Sequence, residues 1–155
     1  MFRLDRTPAR VSPINTHAEC RLTVPTEGEG FTEITREAEA FLAEIGAREG
    51  VLAVFCRHTS ASLTIQENAD SDVQRDLLTA LRRLAPQDAG WVHDTEGPDD
   101  MPAHIRTFLS GVCLSIPVSE GCLALGTWQG VYLVEHRNAQ HRREVVFAFT
   151  GHAGA

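Results

Sequence analysis

The sequence predicts an α+β fold, with mixed or antiparallel, sandwich-like sheets and about three helices in one compact domain of 155 residues. Three observations support this prediction. Three segments repeat apolar residues at the spacing of one helical face. The last third of the chain contains four short apolar runs separated by turn-length pieces, which is typical of hairpin-connected strands. Helices and strands do not alternate one to one, which excludes a doubly wound parallel sheet.

The first third of the chain predicts a loose segment, a strand, a helix and a buried strand. Residues 1–14 show no pattern of regular structure, whereas the alternation over residues 16–24 predicts a strand. Thr32 is a favourable N-cap residue, and the apolar positions after it share one helical face that ends at Gly46. Residues 51–56 form a continuous apolar run, which is typical of a buried strand.

The middle of the chain predicts one more strand and two more helices. The apolar run at residues 62–65 is either a second strand or the continuation of the one before it. Asp70 or Ser71 caps the second helix, which stops before Pro86. We expect the third helix over about residues 101–110, after a polar stretch that contains several turn residues.

Four strands are predicted in the last third of the chain. Their apolar runs lie at residues 112–117, 122–127, 130–137 and 143–150. The pieces between the runs have the length of turns and favour an antiparallel meander.

The charge balance limits the classes of partner. The chain has 21 acidic and 14 basic residues and a formal net charge of −7, which disfavours binding to nucleic acid or to anionic membranes. All the basic residues are arginine, so a Schiff-base lysine and a P-loop lysine are excluded. An anion site in this chain must use arginine, backbone N–H groups or a metal.

Two further features bear on the compartment. No apolar run approaches the length of about 20 residues that crosses a bilayer, and the N-terminal residues lack the apolar stretch of a secretory signal. We therefore expect a cytoplasmic location. The four cysteines form no CxxC pair and are interpreted as small core residues, at positions Cys20, Cys56, Cys113 and Cys122.

Residues 57–68 form the first polar region with candidate functional residues. A hydrophobic strand delivers His58 into a run of small hydroxyl residues, whose size lets a ligand approach the backbone. His58 is a candidate general base, metal ligand or phosphate contact. The alternative is a histidine at a strand end that bonds a neighbouring carbonyl group.

Residues 93–104 form the second polar region, with a histidine at each end and carboxylates between them. At about 4 Å and an effective dielectric constant near 20, each like-charged pair costs about 4 kcal/mol. Convergence of Glu96, Asp99 and Asp100 therefore requires a cation, a shared proton or an arginine. Carboxylates suit Mg²⁺, whereas the two histidines suit Zn²⁺. The alternative is a solvated acidic loop in which Asp100 caps the third helix.

The third polar region lies at the two ends of one predicted strand. A turn before the strand carries Trp128 and Gln129, and the indole ring is a candidate for stacking on a planar ligand. The strand ends at Glu135, His136 and Arg137, a candidate phosphate-binding cluster. The alternatives are a tryptophan that packs back on the sheet and an ordinary polar hairpin tip.

Three stretches of the sequence together resemble a known family. HTSASLTIQEN, HDTEGPDDMPAHI and GTWQGVYLVEHR are similar to the signature stretches of the YjbQ-like family, sometimes called secondary thiamine-phosphate synthases. The order of elements is also similar over nearly the whole chain from about residue 16. The resemblance implies a compact α+β protein that forms a homotrimer with a pocket near the subunit interfaces.

The resemblance also implies an activity, a low level of thiamine-phosphate synthesis. In that reaction a pyrimidine diphosphate is joined to a thiazole phosphate, and pyrophosphate is released. We expect a phosphorylated small-molecule substrate and a divalent metal, Mg²⁺ or Zn²⁺, with no organic cofactor. Two alternatives stay open: a metal-dependent hydrolase that uses His93, His104 and either His136 or His58, and a non-catalytic module that binds a phosphorylated metabolite.

The family motif carries over to individual residues of this chain. Catalytic roles are implied for His58, Ser60, Asn68, Glu96, Asp99, Asp100 and Glu135. Contacts with the substrate are implied for Trp128, Gln129 and Arg137, and metal ligation for His93, His104 and His136. One departure is Gln66, where a polar Asn is expected in many relatives.

Overall fold

The computed structural model describes residues 7–154, which form eight strands and three α-helices. The strands are β1 (Thr16–Thr26), β2 (Gly30–Glu33), β3 (Ala47–Cys56), β4 (Ala61–Glu67), β5 (Cys113–Ser119), β6 (Cys122–Leu123), β7 (Gln129–Glu135) and β8 (His141–Ala153). The helices are α1 (Thr35–Glu44), α2 (Ser71–Leu84) and α3 (Asp100–Ser110). Residues 7–15 contain no helix or strand, and residues 1–6 of the predicted loose segment lie outside the described residues.

The strands form two antiparallel sheets. The larger sheet has the order β1-β8-β3-β5-β6, and the smaller sheet has the order β2-β7-β4. One hydrophobic core joins both sheets to α1, because buried residues of all three belong to the same cluster. The predicted α+β class with antiparallel sheets and three helices is therefore confirmed.

Two predictions about the elements around α1 have different outcomes. Thr32, predicted as the N-cap of the first helix, lies in β2 and pairs with Leu133 of β7. The helix begins at Thr35 instead, because the chain first completes the edge of the smaller sheet, where the ring of Phe31 packs edge-on against a tyrosine of β7. Gly46 ends the helix as predicted, with a φ of 62° that suits glycine.

The predicted meander is correct only for its first hairpin. Strands β5 and β6 pair with each other, but β7 enters the smaller sheet and β8 lies between β1 and β3. The physical reason is the burial of β7, in which every residue after Gln129 is buried. Such a continuous apolar strand is covered on both faces and takes the central position of its sheet.

The second helix begins and ends as predicted, and its apolar stripe is half-buried. Asp70 is the N-cap, and its Oδ1 accepts a hydrogen bond of 2.8 Å from the backbone N–H of Asp72. No residue of α2 is fully buried, and Leu84 at its end is 66% exposed. The other apolar residues of the stripe are half-buried: Val73, Leu77, Leu78 and Leu81.

The interpretation of the cysteines as core residues is only partly correct. Cys56 is buried and Cys20 is half-buried, whereas Cys113 and Cys122 are exposed. Both exposed cysteines lie at outward-facing positions of short strands near the edge of the larger sheet, where the alternation of β5 and β6 points them away from the core. No helix among residues 7–154 is both long enough and apolar enough to cross a bilayer.

Candidate metal centre and adjoining cavity

Three candidate ligands converge at the start of α3. Asp100 is the first residue of the helix, and His104 follows four residues later on the same helical face. His93 comes from the preceding loop, and its Nε2 lies 2.8 Å from Asp100 Oδ2. The Nε2 atom of His104 lies 3.4 Å from the same oxygen. One ligand atom from each of these three residues lies within 4.8 Å of the others, which is the arrangement of a candidate metal centre.

The ligands of this centre are held by outer partners. The second carboxylate oxygen of Asp100, Oδ1, accepts a hydrogen bond from Nη1 of Arg137. His104 Nδ1 lies 2.9 Å from the carbonyl oxygen of Thr59, and a carbonyl oxygen only accepts. Nδ1 of His104 therefore carries a proton that it donates to this carbonyl group, which leaves Nε2 as the ring nitrogen that could ligate a metal. Histidine ligands of metals are usually oriented in this way, by a carbonyl group or carboxylate on the other nitrogen.

Arg137 is the arginine that lets the acidic residues approach one another. Its Nε donates to Asp99 Oδ2 at 3.1 Å, and its Nη2 donates to the carbonyl oxygen of Glu96 at 2.7 Å. Burial would raise the pKa of Asp99, but hydrogen bonds from the backbone N–H of Asn138 and from Arg137 hold it below its usual range. Asp99 is thus occupied by protein partners, and Glu96 contributes its backbone instead of its exposed carboxylate.

The alternative of a solvated acidic loop is wrong for the two aspartates. Asp99 is 8% exposed and Asp100 is 2% exposed. The N-cap position of α3 is Asp99, and it makes no side-chain cap hydrogen bond, so Asp100 is not the capping residue either. By contrast, the side chains of His93 and His104 are 44% and 34% exposed, which leaves the centre accessible from outside.

A cavity of about 700 Å³ adjoins this centre and shares His104 with it. Its lining comes from the end of β3, the loop before β4, α3 and β8: Phe55, Cys56, Arg57, His58, Thr59, Ser60, His104, Thr107, Phe108, Val112 and Arg143. His58 Nε2 accepts a hydrogen bond of 2.8 Å from the backbone N–H of Glu144, a backbone amide instead of the carbonyl group weighed as an alternative. Burial, with Arg143 nearby, lowers the pKa of His58, so its ring is neutral at pH 7. Ser60 Oγ accepts from Arg143 Nη2 at 3.1 Å.

Glu135 lies in a buried ion pair, away from the metal centre. Its carboxylate accepts from Arg143 Nε and Nη2, both at 2.6 Å, and from the hydroxyl of Thr26 at 2.8 Å. The backbone N–H groups of His136 and Arg137 also donate to it. Burial would raise the pKa of Glu135, but Arg143 and these N–H groups hold it below its usual range. The structure thus shows Glu135 held in a buried ion pair with Arg143, and its catalytic role stays a prediction.

His136, predicted as a metal ligand, is not brought to the metal centre. Its side chain is fully buried, and its Nε2 lies 2.8 Å from Ser62 Oγ. Burial, reinforced by the charge of Arg106, lowers its pKa to about 4. It belongs to none of the groups of three ligands found among residues 7–154.

Trp128, Gln129 and Asn68 lie at the other end of β7. Gln129 Oε1 accepts from the backbone N–H of Gly126 at 2.8 Å, and the backbone N–H of Asn68 donates to the carbonyl oxygen of Trp128. The seven-residue strand β7 separates them from Arg137, a distance of about 20 Å at the rise of an extended strand. Trp128 is 64% exposed, so it does not pack back on the sheet. Within one chain, these residues and the metal centre are separate.

The sequence reasoning missed several residues of the site. Thr59 acts through its carbonyl oxygen, for which no side-chain pattern gives a signal. Arg143 is close in sequence to the candidate cluster at residues 135–137, and its inward position in the alternation of β8 brings it to the cavity. Phe55 and Phe108 are exposed at the mouth of the cavity, at positions that the sequence patterns assign to a strand and to the apolar side of a helix.

Comparisons with known proteins identify the family. Residues 20–152 match the family model described as UPF0047 protein YjbQ-like. A UPF0047 protein of Synechocystis is 47% identical over 84% of this chain and 89% of its own length, and the UPF0047 protein YugU of Bacillus subtilis is 39% identical over 71% of this chain and 82% of its own.

Solved structures share the fold. A hypothetical protein of Aeropyrum pernix superposes with a TM-score of 0.81 at 29% identity, covering 87% of this chain and 99% of that one. A conserved hypothetical protein of Thermus thermophilus gives a TM-score of 0.73 at 41% identity, covering 82% and 97%. The family match and these relatives show that the chain belongs to the UPF0047 YjbQ-like family.

Proposed function

We propose that this chain is a divalent-metal enzyme that acts on a phosphorylated small molecule. The observation that carries the proposal is the convergence of His93, Asp100 and His104, whose ligand atoms lie within 4.8 Å of one another. The outer hydrogen bonds from Arg137 and to Thr59 support it, because they fix a carboxylate and an imidazole in the orientation that a metal needs.

The donor set favours Zn²⁺ or a similar transition ion over Mg²⁺. Two imidazoles and one carboxylate are borderline donors that suit Zn²⁺, whereas Mg²⁺ prefers an all-oxygen shell with several waters. A Mg²⁺ site built on both aspartates is less favoured, because Asp99 already accepts hydrogen bonds from Arg137 and Asn138. Three protein ligands leave a coordination position open, which is the pattern of catalytic zinc sites.

When bound, such a metal would polarise a phosphate oxygen or lower the pKa of a bound water. The residues of the chain have their own tasks. Arg137 donates a hydrogen bond to Oδ1 of Asp100, so that Oδ2 stays between the two histidines. The Nδ1–H of His104 donates to the carbonyl oxygen of Thr59, which fixes the orientation of the ring and leaves Nε2 for a metal. In the adjoining cavity, His58 and Arg143 are placed to hold the phosphorylated molecule.

The first reaction to test is thiamine-phosphate formation, which the family resemblance implies. A bond forms between the thiazole nitrogen and the methylene carbon of the pyrimidine, the bond from that carbon to the diphosphate oxygen breaks, and pyrophosphate leaves with the electron pair. Catalysis requires stabilisation of the charge that develops on the leaving group. A (β/α)₈ barrel typically takes about 250 residues, and this chain has 155. Any thiamine-phosphate synthesis by this chain therefore uses a different scaffold.

A second candidate is a metal-dependent phosphate-ester hydrolase. It is favoured by the open three-ligand set, in which a metal-bound water would attack phosphorus and the alcohol would leave. Both reactions release an inorganic product, pyrophosphate or phosphate, and the two products are distinguished by including or omitting pyrophosphatase in a phosphate-release assay. Saturable binding without product would instead identify a binding module.

The test begins with metal content. Protein purified without chelator and supplied with Zn²⁺ should retain about one metal per chain by mass spectrometry, whereas Asp100→Asn should lose it. Asp94→Asn is the matched control, because Asp94 is exposed in the same loop and is not a candidate ligand. A wild type that does not retain metal, or an Asp100→Asn variant that retains it, would contradict the proposed centre. Product formation is then measured in the same three proteins.

We also propose that the chain forms the homotrimer implied by the family resemblance. The exposed Leu84 at the end of the half-buried stripe of α2 supports association. The separation of Trp128 from the metal centre of its own chain supports it too, since a neighbouring subunit would have to supply this side chain. Light scattering should give three times the chain mass of 17.0 kDa. A monomer mass at micromolar concentration would contradict this proposal. We place the protein in the cytoplasm, which four free thiols favour.

A further inference from the structure

We infer that the cavity beside His104 binds the substrate, and that this substrate is a phosphate or carboxylate joined to a ring-sized apolar body. The inference rests on the proposed function, because it names the substrate class of the same site. The cavity's volume of about 700 Å³ is in the range of small-molecule sites, about 300–1,000 Å³. The cavity and the metal centre share one imidazole, so a molecule in the cavity lies beside the metal ligands.

Arg143 provides the first donor of the polar wall. The residue is only 4% exposed and lines the cavity. Its Nε and Nη2 are used by Glu135 and Ser60, whereas its Nη1 donates to none of residues 7–154. A buried guanidinium with one free nitrogen, held rigidly by a bidentate carboxylate, is a preorganised donor for an oxygen ligand.

His58 provides the second donor. Its Nε2 accepts a hydrogen bond from the backbone N–H of Glu144, so in the neutral ring the proton is on Nδ1. The lowered pKa of His58 agrees with this neutral form. The Nδ1–H group makes no hydrogen bond with any residue of the described range. A fixed tautomer with a free N–H at a cavity wall is therefore available to an acceptor on a ligand.

The lining of the cavity has donors but no carboxylate among the residues that the structure describes. This is notable in a chain with 21 acidic residues and a net charge of −7. The two arginines of the lining are neutralised by carboxylates outside it, Arg143 by Glu135 and Arg57 by Glu144. The wall therefore favours a ligand that presents acceptor oxygens, as an oxyacid group does.

The lining of the cavity also has an apolar part. Phe55 is 45% exposed and Phe108 is 87% exposed, and Val112, two residues after the end of α3, lines the cavity with them. Exposed aromatic side chains at a cavity mouth lose water-accessible surface when a flat apolar group packs on them. A free inorganic anion would leave these rings uncovered. The two parts of the lining together point to an oxyacid group with a ring attached.

The test is calorimetric titration of the zinc-loaded protein with four probes. We expect phenyl phosphate or benzoate to bind saturably, with benzyl alcohol and inorganic phosphate at least tenfold weaker than the better of the two. Preference for phenyl phosphate assigns a phosphate substrate, and preference for benzoate assigns a carboxylate substrate. Absence of binding by both ring anions at millimolar concentration, or equal binding of benzyl alcohol, would overturn the inference.

Matched variants locate the binding in this cavity. His58→Gln keeps an acceptor for the Glu144 N–H, but its amide N–H group does not occupy the position of the Nδ1–H donor, so the variant should weaken phenyl phosphate binding about tenfold. Phe108→Ala should weaken it about tenfold. Leu109→Ala is the control, because Leu109 is also exposed on α3 but does not line the cavity. Loss of affinity in the control alone, or in none of the three, would overturn the assignment.

The outcome separates this inference from the proposed function. Ring-anion binding that depends on His58 and Phe108, in a protein that retains no metal, would support the cavity and contradict the metal enzyme. Metal retention that depends on Asp100, without binding of any ring anion, would support the metal centre and overturn the substrate class.

Discussion

Strand β7 ends in three consecutive polar residues that enter two different environments. Glu135 and His136 are buried, and the hydrogen bonds of the Glu135 carboxylate are made within the protein, chiefly with Arg143. The next residue, Arg137, turns outward to the two aspartates before and at the start of α3, where two histidines remain partly exposed. The same residue types therefore make a saturated ion pair in the buried cluster and the proposed ligand site in the outer one.

Two properties, more than residue type, distinguish a structural cluster from a candidate functional one. They are how fully the side chains are hydrogen-bonded within the protein and how accessible they are to solvent. A carboxylate that accepts five hydrogen bonds in the core, as Glu135 does, has no free lone pair for a metal or a proton. Asp100 shares one oxygen with two imidazoles and faces an accessible side. The predictions below test this division.

The largest expected effect is on the buried cluster. Glu135→Gln removes the charge that compensates Arg143 in the core, and it should lower the free energy of unfolding by about 3–5 kcal/mol. Urea unfolding followed by circular dichroism measures the change. A loss below about 1 kcal/mol would show that Glu135 is not a structural partner and would remove the contrast.

The second prediction concerns pH. His136 has a folded-state pKa of about 4 and an unfolded value near 6.5, so its contribution is fully present above pH 6.5 and is lost as the pH falls from 6.5 towards 4. Between pH 7 and pH 5 the free energy of unfolding should fall by about 2 kcal/mol from this residue alone. His136→Gln should remove that part of the pH dependence. An unchanged pH profile in His136→Gln would mean that another group is responsible.

The third prediction concerns the outer cluster. Arg137→Gln should weaken Zn²⁺ binding about 10- to 100-fold, because Asp100 loses the partner that fixes its orientation. Competition with a chromogenic chelator measures this affinity. Arg142→Gln, an exposed neighbour on β8, should leave it unchanged. Equal affinities in wild type and Arg137→Gln would place Arg137 outside the metal centre.

The smallest expected effect is at Glu96. Only its carbonyl oxygen contacts Arg137, so Glu96→Gln should change both zinc affinity and the free energy of unfolding by less than about 0.5 kcal/mol. The same two assays check it. A clear loss of zinc affinity would give the Glu96 carboxylate a role in the centre and move it to the functional side of the comparison.

Local patterns in the sequence predicted the parts of the site that depend on local spacing. Asp100 and His104 are one helical turn apart, so their convergence follows once α3 is recognised. Charge repulsion alone indicates that the converging carboxylates need a cation, a shared proton or an arginine. What local patterns could not indicate was which arginine would approach, because Arg137 reaches the aspartates across 37 residues of chain.

The errors have a related physical cause. His136 resembles its neighbours as a potential ligand, and only the packing of the smaller sheet buries it. Thr32 suits both a helix cap and a strand, and pairing with β7 decides between them. Each outcome depends on contacts between segments that are distant in sequence.

The central claim is that His93, Asp100 and His104 form a metal centre. X-ray absorption of the zinc-loaded protein tests it most directly. The account predicts a first shell of nitrogen and oxygen at about 2.0–2.2 Å with an imidazole signature, lost in Asp100→Asn and kept in His136→Gln. A sulfur shell at about 2.3 Å, or a spectrum that Asp100→Asn leaves unchanged, would contradict it.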